Sequence, residues 1–402
     1  MKSLLFLSHR IPYPPDKGDK IRSYNIVRAF TSGFRVHLGT FADAPEDMAY
    51  VENLERMGCR VYCRPLSPRL ATFKSAGGLL TGTALTLPYY SDRELRRWVD
   101  ATLDDHSIDA AYIFSSAMGQ YCEDRRVPFT VVDFCDVDSD KWSQYAAAKP
   151  WPLSSIYRRE ARRLSKYEQA LATSHDKALF VSDAERMLFV DRYPELRPKA
   201  MTVRNGVDTI YFDPGRAARL AGPQSPIVVF TGAMDYWANV DAVCWFVTDA
   251  WPSIRRRHRR ARFLIVGARP TAAVLKLARQ DGVEVVGRVE DVRPYLASAR
   301  VAVAPMRIAR GLQNKILEAL AMARHVVATP AALSGLDSVQ VPGVWCARDA
   351  TELADAISET LGSGPADNPA GREYVVEKFG WNAVLEPLMA LIERSISANG
   401  SR

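Results

Sequence analysis

Arg307, Arg310, Gly311, Lys315 and Glu318 fall within one short run, Met306-Arg307-Ile308-Ala309-Arg310-Gly311-Leu312-Gln313-Asn314-Lys315-Ile316-Leu317-Glu318. Guanidinium groups hold phosphate oxygens two at a time, and an ammonium adds a compact positive charge. A glycine ahead of a helix lets backbone approach a ligand, and the free N–H groups of a helix start favour an anion. The set suits a phosphate-bearing ligand. Glu318 shares a helix with Lys315 and is placed to accept hydrogen bonds from a sugar hydroxyl. Asp133, Asp136 and Asp138 form a second concentration of ionisable groups, directly after the apolar Val131-Val132. Carboxylates at a strand end bind hydroxyls, act as bases or ligate a metal. Asp138 and Ser139 also read as helix caps, which leaves Asp136 as the candidate for chemistry. A third stretch, Ser8 to Arg22, combines a proline-stiffened loop, Gly18 and a helix start near Asp19. His9 and Arg22 either face a ligand there or are surface charges on a capped turn. The dinucleotide fingerprint G-x-G-x-x-G is absent from this loop, which argues against a nicotinamide enzyme.

These residues need elements to position them, and the apolar runs supply a regular series. Strands are expected at Ser3–Ser8, Arg35–Thr40, Arg60–Cys63, Ala110–Phe114, Phe129–Asp133, Ala178–Val181 and Met201–Val203, with a long helix from Ser154 to Thr173. A second series gives strands Ile227–Thr231, Arg262–Val266, Val283–Val286, Val301–Ala304 and His325–Ala328. Its helices are Val240–Ala250, Ala272–Arg279, one beginning near Leu312, Thr351–Leu361, Ala370–Phe379 and Trp381–Ile396. Alternating apolar strands and helices is the grammar of a parallel sheet covered on both faces, and ligands bind such sheets at the carboxyl ends of the strands. The predicted class is α/β, with two Rossmann-like, doubly wound domains. The boundaries read 1–205 for the first domain, 206–226 for a linker rich in Pro, Gly, Ala and Arg, 227–379 for the second domain and 380–402 for a final helix. Ser182 with Glu185 three residues on reads as a capping box.

The chain has 402 residues, enough for two ordinary domains, with 53 basic and 46 acidic side chains for a formal charge of +7. Two runs concentrate the excess: Arg255–Arg260, read as a solvated face, and Arg158, Arg159, Arg162, Arg163 and Lys166 at helical spacing. Basic helices favour anionic membrane surfaces. No recognition motif accompanies the charge, so nucleic acid is not an expected partner. Six scattered cysteines form no zinc-ligand pattern and read as reduced thiols. The apolar start is too short for a signal peptide, and no stretch is long enough to span a bilayer. A cytoplasmic protein is expected, with contact at the inner face of the plasma membrane.

Leu317-Glu318-Ala319-Leu320-Ala321 and Val326-Val327-Ala328-Thr329 resemble the donor-site motif of GT-B glycosyltransferases, specifically the retaining family 4, in which a run such as E-G-F-G-x-x-x-L-E-A-M-A-x-G-x-P-V-V-A recurs. Lys141-Trp142-Ser143-Gln144-Tyr145, Tyr157-Arg158-Arg159-Glu160-Ala161-Arg162-Arg163-Leu164, Phe180-Val181-Ser182-Asp183-Ala184-Glu185 and Asn205-Gly206-Val207-Asp208-Thr209-Ile210-Tyr211-Phe212-Asp213-Pro214 are similar to the subgroup associated with exosortase and exopolysaccharide loci. The resemblance implies a GT-B fold whose final helix crosses back to the first domain. It implies a nucleoside-diphosphate-sugar donor, a glycan or polyprenyl-linked acceptor and no metal or other cofactor. On the donor side it implicates Gly18 in the first glycine loop, Asn205 at the domain junction, Gly232 with Asn239 as a helix cap near the diphosphate, Arg269 in the nucleotide pocket and Arg288 where relatives grip the base. Arg307, Arg310, Gly311 and Lys315 would meet the diphosphate, Glu318 the ribose, and Asp136 the acceptor. Two positions depart from the motif. Arg310 stands where the family has its first glutamate, and Ala323-Arg324-His325 stands where it has Gly-x-Pro. A GT-B nucleotide-sugar 2-epimerase and a catalytically silent donor-binding scaffold are the competing readings.

A guanidinium in place of that glutamate serves phosphate, not sugar hydroxyls. Arg310→Glu is therefore expected to lose binding of nucleoside diphosphates, and Arg310→Lys to keep part of it, because charge survives while the two-pronged geometry does not. Titration of UDP and GDP against both variants checks this. Undiminished binding by Arg310→Glu refutes it.

Overall fold

The computed structural model describes the chain except residues 16–17, 124, 222–224, 310–311, 337–340, 363–366 and 400–402, and gives backbone alone at 80–81, 148 and 399. Its contacts divide the chain into two units, Met1–Arg204 together with Leu385–Arg402, and Asn205–Val384.

The first unit holds seven parallel strands: β1 (Lys2–Ser8), β2 (Phe34–Ala42), β3 (Cys59–Pro65), β4 (Ala110–Phe114), β5 (Thr130–Cys135), β6 (Lys177–Phe180) and β7 (Ala200–Thr202), in the order β3-β2-β1-β4-β5-β6-β7. The second holds six parallel strands: β8 (Ile227–Thr231), β9 (Arg262–Val266), β10 (Val283–Gly287), β11 (Val301–Ala304), β12 (His325–Ala328) and β13 (Val344–Cys346), in the order β10-β9-β8-β11-β12-β13. Each order reverses beside its first strand, which is the doubly wound plan. Runs such as Leu4-Leu5-Phe6-Leu7 and Val228-Val229-Phe230 are fully buried because helices cover both faces of a parallel sheet.

Several elements differ from expectation for local reasons. The helix expected at Val240–Ala250 starts earlier, at Trp237, runs to Trp245, widens into a π-turn at Phe246–Ala250 and resumes at Trp251–Arg257. Pro252 explains the widening, since proline cannot donate the helical hydrogen bond. The helix expected near Leu312 starts at Asn314. The capping box is half made. Ser182 accepts from the Glu185 N–H at 3.2 Å, but the Glu185 carboxylate turns away to accept from the Val137 N–H at 2.8 Å. Residues 206–226 fall in the second unit, where Arg372 donates to the carbonyls of Phe212 at 2.6 Å and Thr209 at 3.2 Å. The final helix, Trp381–Asn399, returns to the first unit from Leu385 onward, with Met389 Cε 3.8 Å from where a Cβ on Gly33 would stand and Lys2 Nζ donating to Ser397 Oγ at 2.9 Å.

The Ala323-Arg324 departure has a structural account. Ala323 takes a left-handed φ of 54°, the conformation for which glycine is suited. Arg324 is buried at 1% exposure, and its guanidinium binds the carbonyls of Met322 and Ala299 and the carboxylate of Asp367. It thereby ties the turn after the Asn314–Ala321 helix to the entry of β11. Ala323→Gly is expected to raise stability by roughly 0.5–1 kcal/mol, since relief of left-handed strain outweighs the added freedom of the unfolded chain. A lower melting temperature refutes this.

Candidate functional site

Three neighbouring strands of the second unit end side by side, and their loops are laced by backbone. The Gly232 N–H donates to the Val266 carbonyl at 3.0 Å, the Gly267 N–H to the Gly287 carbonyl at 2.9 Å, and the Met234 N–H to the Ala268 carbonyl at 2.8 Å. A Cβ on Gly267 would stand 1.7 Å from the Gly232 carbonyl oxygen, so no side chain fits there. Gly232 itself has φ +155° and a virtual Cβ 2.8 Å from Asn239 Nδ2. The absence of both side chains brings bare backbone to the carboxyl ends of β8 and β9, the ligand-binding edge of such a sheet.

Lys315 reaches this edge from the first turn of the Asn314–Ala321 helix. Its ammonium donates to Asn239 Oδ1 at 3.0 Å and sits 5.0 Å from the centre of the Phe230 ring. Asn239, 5% exposed, donates from Nδ2 to the Ala233 carbonyl at 2.9 Å, so both ends of its amide are engaged. Desolvation pushes the Lys315 ammonium down to about 8, against the opposing pull of Glu318. Burial likewise pushes the Glu318 carboxyl up to about 7, against Lys315. Neither Gln313 nor Tyr236, the N-cap residues of the Asn314–Ala321 and Trp237–Trp245 helices, caps its helix with a side-chain hydrogen bond. Their first N–H groups and Lys315 form an electropositive corner over the glycine loops.

The structure thus brings together Gly232, Lys315 and Glu318 with Asn239, which is inside the first helical turn, not at its cap. The other candidates are placed apart or otherwise engaged. Arg307 holds Asp241 with both prongs of its guanidinium and lies 5.7 Å from the Trp245 ring centre. Arg269, at a left-handed φ of 56°, pairs with Asp235 at 2.6 Å. Arg288 is exposed. Arg310 and Gly311 lie outside the described residues. Asn205 opens the second unit, next to Gly206, whose virtual Cβ meets Trp381 at 2.8 Å. In the first unit Gly18 is exposed at the start of the Gly18–Thr31 helix with open space beside it. Asp136 is half-exposed and pairs with Lys141 at 2.8 Å. Asp133 is fully buried: Arg22 donates to it at 2.8 Å, Tyr112 at 2.6 Å and the Cys135 N–H at 3.0 Å. Arg22 is therefore a buried structural partner, not a ligand-facing charge. The sequence marks Asn239 as a cap near the diphosphate and Gly267 as part of the nucleotide pocket, but not that the Asn239 amide receives Lys315 or that Gly267 runs against the Gly232 carbonyl. The strand-end position of Gly267 was the available signal. Among the described residues no group of three or more His, Cys, Asp or Glu side chains is placed to hold a metal, and no helix is long and apolar enough to cross a membrane.

This is a GT-B fold, and within its second unit residues 225–363 match the family model described as "Glycosyl transferases group 1". The chain is similar in structure to a glycosyltransferase from Rickettsia africae ESF-5, at 13% identity and TM-score 0.64 over 98% of this chain and 99% of that one. It is also similar to HepE of Anabaena solved in complex with UDP, at 14% identity and TM-score 0.63 over 98% and 100%, and to the sucrose-phosphate synthase of Thermosynechococcus elongatus, at 16% and 0.63 over 99% and 100%. No curated protein sequence matches the chain significantly.

Lys315→Ala is expected to weaken nucleoside-diphosphate binding by roughly 1–3 kcal/mol, the scale of a charged hydrogen bond. An anionic ligand favours the charged ammonium, so binding should take up a proton near the free-state value of about 8 and weaken as pH rises through it. Calorimetry in buffers of differing ionisation enthalpy measures the uptake. Affinity that is flat from pH 7 to about 9, or unchanged in Lys315→Ala, removes Lys315 from the site.

Proposed function

We propose that this chain is a retaining glycosyltransferase of the family 4 type, moving a sugar from a nucleoside-diphosphate donor to a hydroxyl of a glycan or polyprenyl-linked acceptor in the synthesis of a cell-surface polysaccharide. The observation that carries the reading is Lys315 set over the bare backbone of Gly232 and Gly267, inside the region that matches the glycosyltransferase model. HepE, of the same fold, was solved with UDP and with UDP-glucose, which favours a nucleotide sugar as the ligand of this corner.

In this reading the bond between the anomeric carbon and the diphosphate oxygen breaks with both electrons leaving on the diphosphate. Lys315, Arg310 and the N–H groups at the Asn314 helix start stabilise that charge where it develops. Cationic side chains take the place of a metal. Glu318 accepts from the ribose hydroxyls, and a carboxyl held near neutrality serves either as acceptor or as donor there. The acceptor oxygen forms the new bond on the face that the diphosphate leaves, and its proton passes to the departing phosphate oxygen. Asp136, on the acceptor side, orients the hydroxyl, for which it must exchange its partner Lys141. Arg307, Arg269 and Arg288 belong to the margin of the donor site. The enzyme works in the cytoplasm, where its unpaired cysteines are stable, and touches the inner face of the plasma membrane through the basic helix Leu153–Ser174.

The test is turnover with UDP-, GDP- and ADP-sugars and a panel of polyprenyl-phosphate and oligosaccharide acceptors, with the anomeric configuration of the product read by NMR. Transfer with retention is the expected result. Inversion overturns the mechanism, epimerisation without transfer favours the epimerase, and binding without turnover favours the scaffold.

A further inference from the structure

The helix Pro68–Thr81 of the first unit is amphipathic in the reverse sense. It buries its small residues, Ala71 and Gly78, and half-buries Ser75, whose hydroxyl donates to the Leu85 carbonyl at 2.8 Å. Its described large apolar residues are exposed: Phe73 at 83%, Leu70 at 65% and Leu79 at 44%. Small inward residues let the helix lie close on the Thr86–Tyr89 turn, where a Cβ on Gly78 would meet Leu85 at 3.3 Å and Pro88 at 3.4 Å. Among the described residues none covers Phe73 or Leu70, although burying them would be favourable. Contiguous exposed apolar surface marks a contact with something else.

The charges beside it say what that is. Pro68–Thr81 contains Arg69 and Lys74 and no carboxylate. The helix Leu153–Ser174 packs alongside: Arg159 donates to the carbonyls of Gly78 at 2.7 Å and Thr83 at 3.1 Å, and an Arg163 amino group comes within 3.9 Å of a virtual Cβ on Gly82. Arg158, Arg162, Arg163 and Lys166 are exposed along it. Its two acids, Glu160 and Glu168, are buried: Glu160 accepts from the N–H groups of Leu85 and Thr86, and Glu168 from Ser139. The outward charges of both helices are therefore all positive. A second copy of this chain would set like charges against like. An anionic bilayer supplies the opposite charge to the arginines and an apolar layer for Phe73 and Leu70, which is how an interfacial helix binds.

We propose that Pro68–Thr81 is a membrane-insertion helix, with Phe73 and Leu70 entering the acyl boundary and the exposed face of Leu153–Ser174 pairing with anionic headgroups. This deepens the membrane contact proposed above and is independent of donor chemistry, which belongs to the second unit. The experiment is co-sedimentation of the full chain with vesicles of phosphatidylcholine alone or with about a quarter phosphatidylglycerol. Binding is expected only to the anionic vesicles and to weaken with salt. Phe73→Ser is expected to lower the partition coefficient about tenfold, and Arg162→Glu with Arg163→Glu by at least as much. All variants change exposed residues and should melt as the parent does. Absence of binding, equal binding to neutral vesicles, or full binding by Phe73→Ser overturns the proposal, as does a dimer that Phe73→Ser dissociates in a chain that ignores vesicles. UDP and GDP binding measured on the same samples separates the two readings, since loss of nucleotide binding alone would sink the transferase and leave the membrane helix standing.

Discussion

The second unit is organised around a close passage of two backbones. Gly267 and Gly232 pass so near each other that any Cβ on the former would overlap the carbonyl of the latter. That contact determines where the β8 and β9 loops run, how the Trp237–Trp245 helix enters and hence where Asn239 stands. Asn239 in turn gives Lys315 a fixed oxygen, which holds a long side chain over the glycine loops at less cost in rotamer freedom upon ligand binding. Among the described residues this half-buried ammonium has hydrogen-bond partners that carry no charge, the Asn239 amide and the Met306 thioether, and desolvation lowers its affinity for protons. A dianionic phosphate would complete the set.

The first unit uses its acids differently. Asp133, Glu160 and Glu168 are all buried, and each accepts from backbone N–H groups that no helix or strand partner serves. Asp133 also holds Arg22, which donates onward to the Val203 carbonyl at 2.7 Å. One carboxylate thus joins the Gly18–Thr31 helix, β4, β5 and the segment after β7. A bulge at Cys135, with φ 60°, breaks the register between β5 and β6 and releases Asp136 toward the surface. Of three aspartates with similar sequence surroundings, one is structural and two share Lys141.

Much of the fold was legible because its strands are fully buried runs. β4, β8, β9, β11 and β12 have the bounds that apolar runs alone give them. β13 was not foreseen: Val344–Cys346 is a short edge strand whose residues are at most half-buried, so no apolar run marks it. The helix Pro68–Thr81 escaped for the opposite reason, since Leu70 and Phe73 point outward and its periodicity misleads. At the candidate site, local chemistry could be read: Lys315 and Glu318 lie one turn apart, and Gly232 ends a strand. Distant partners could not. Nothing in the neighbourhood of Arg307 announces that Asp241, in a different helix, takes up its guanidinium, and nothing near Asn239 says that its amide faces Lys315 instead of its own helix start.

The final helix gives the molecule an order of assembly. Residues 205–384 form a contiguous unit, whereas the first unit needs the segment from Leu385 onward to cover Gly33 and meet Lys2. On the ribosome, at about 5–20 residues per second, the amino-terminal sheet emerges first and waits ten seconds or more for its last helix. The second unit is made during that interval and is complete one residue before the segment begins. The unit begun first is the one finished last, and during the wait the surface that the helix will cover is open to chaperones.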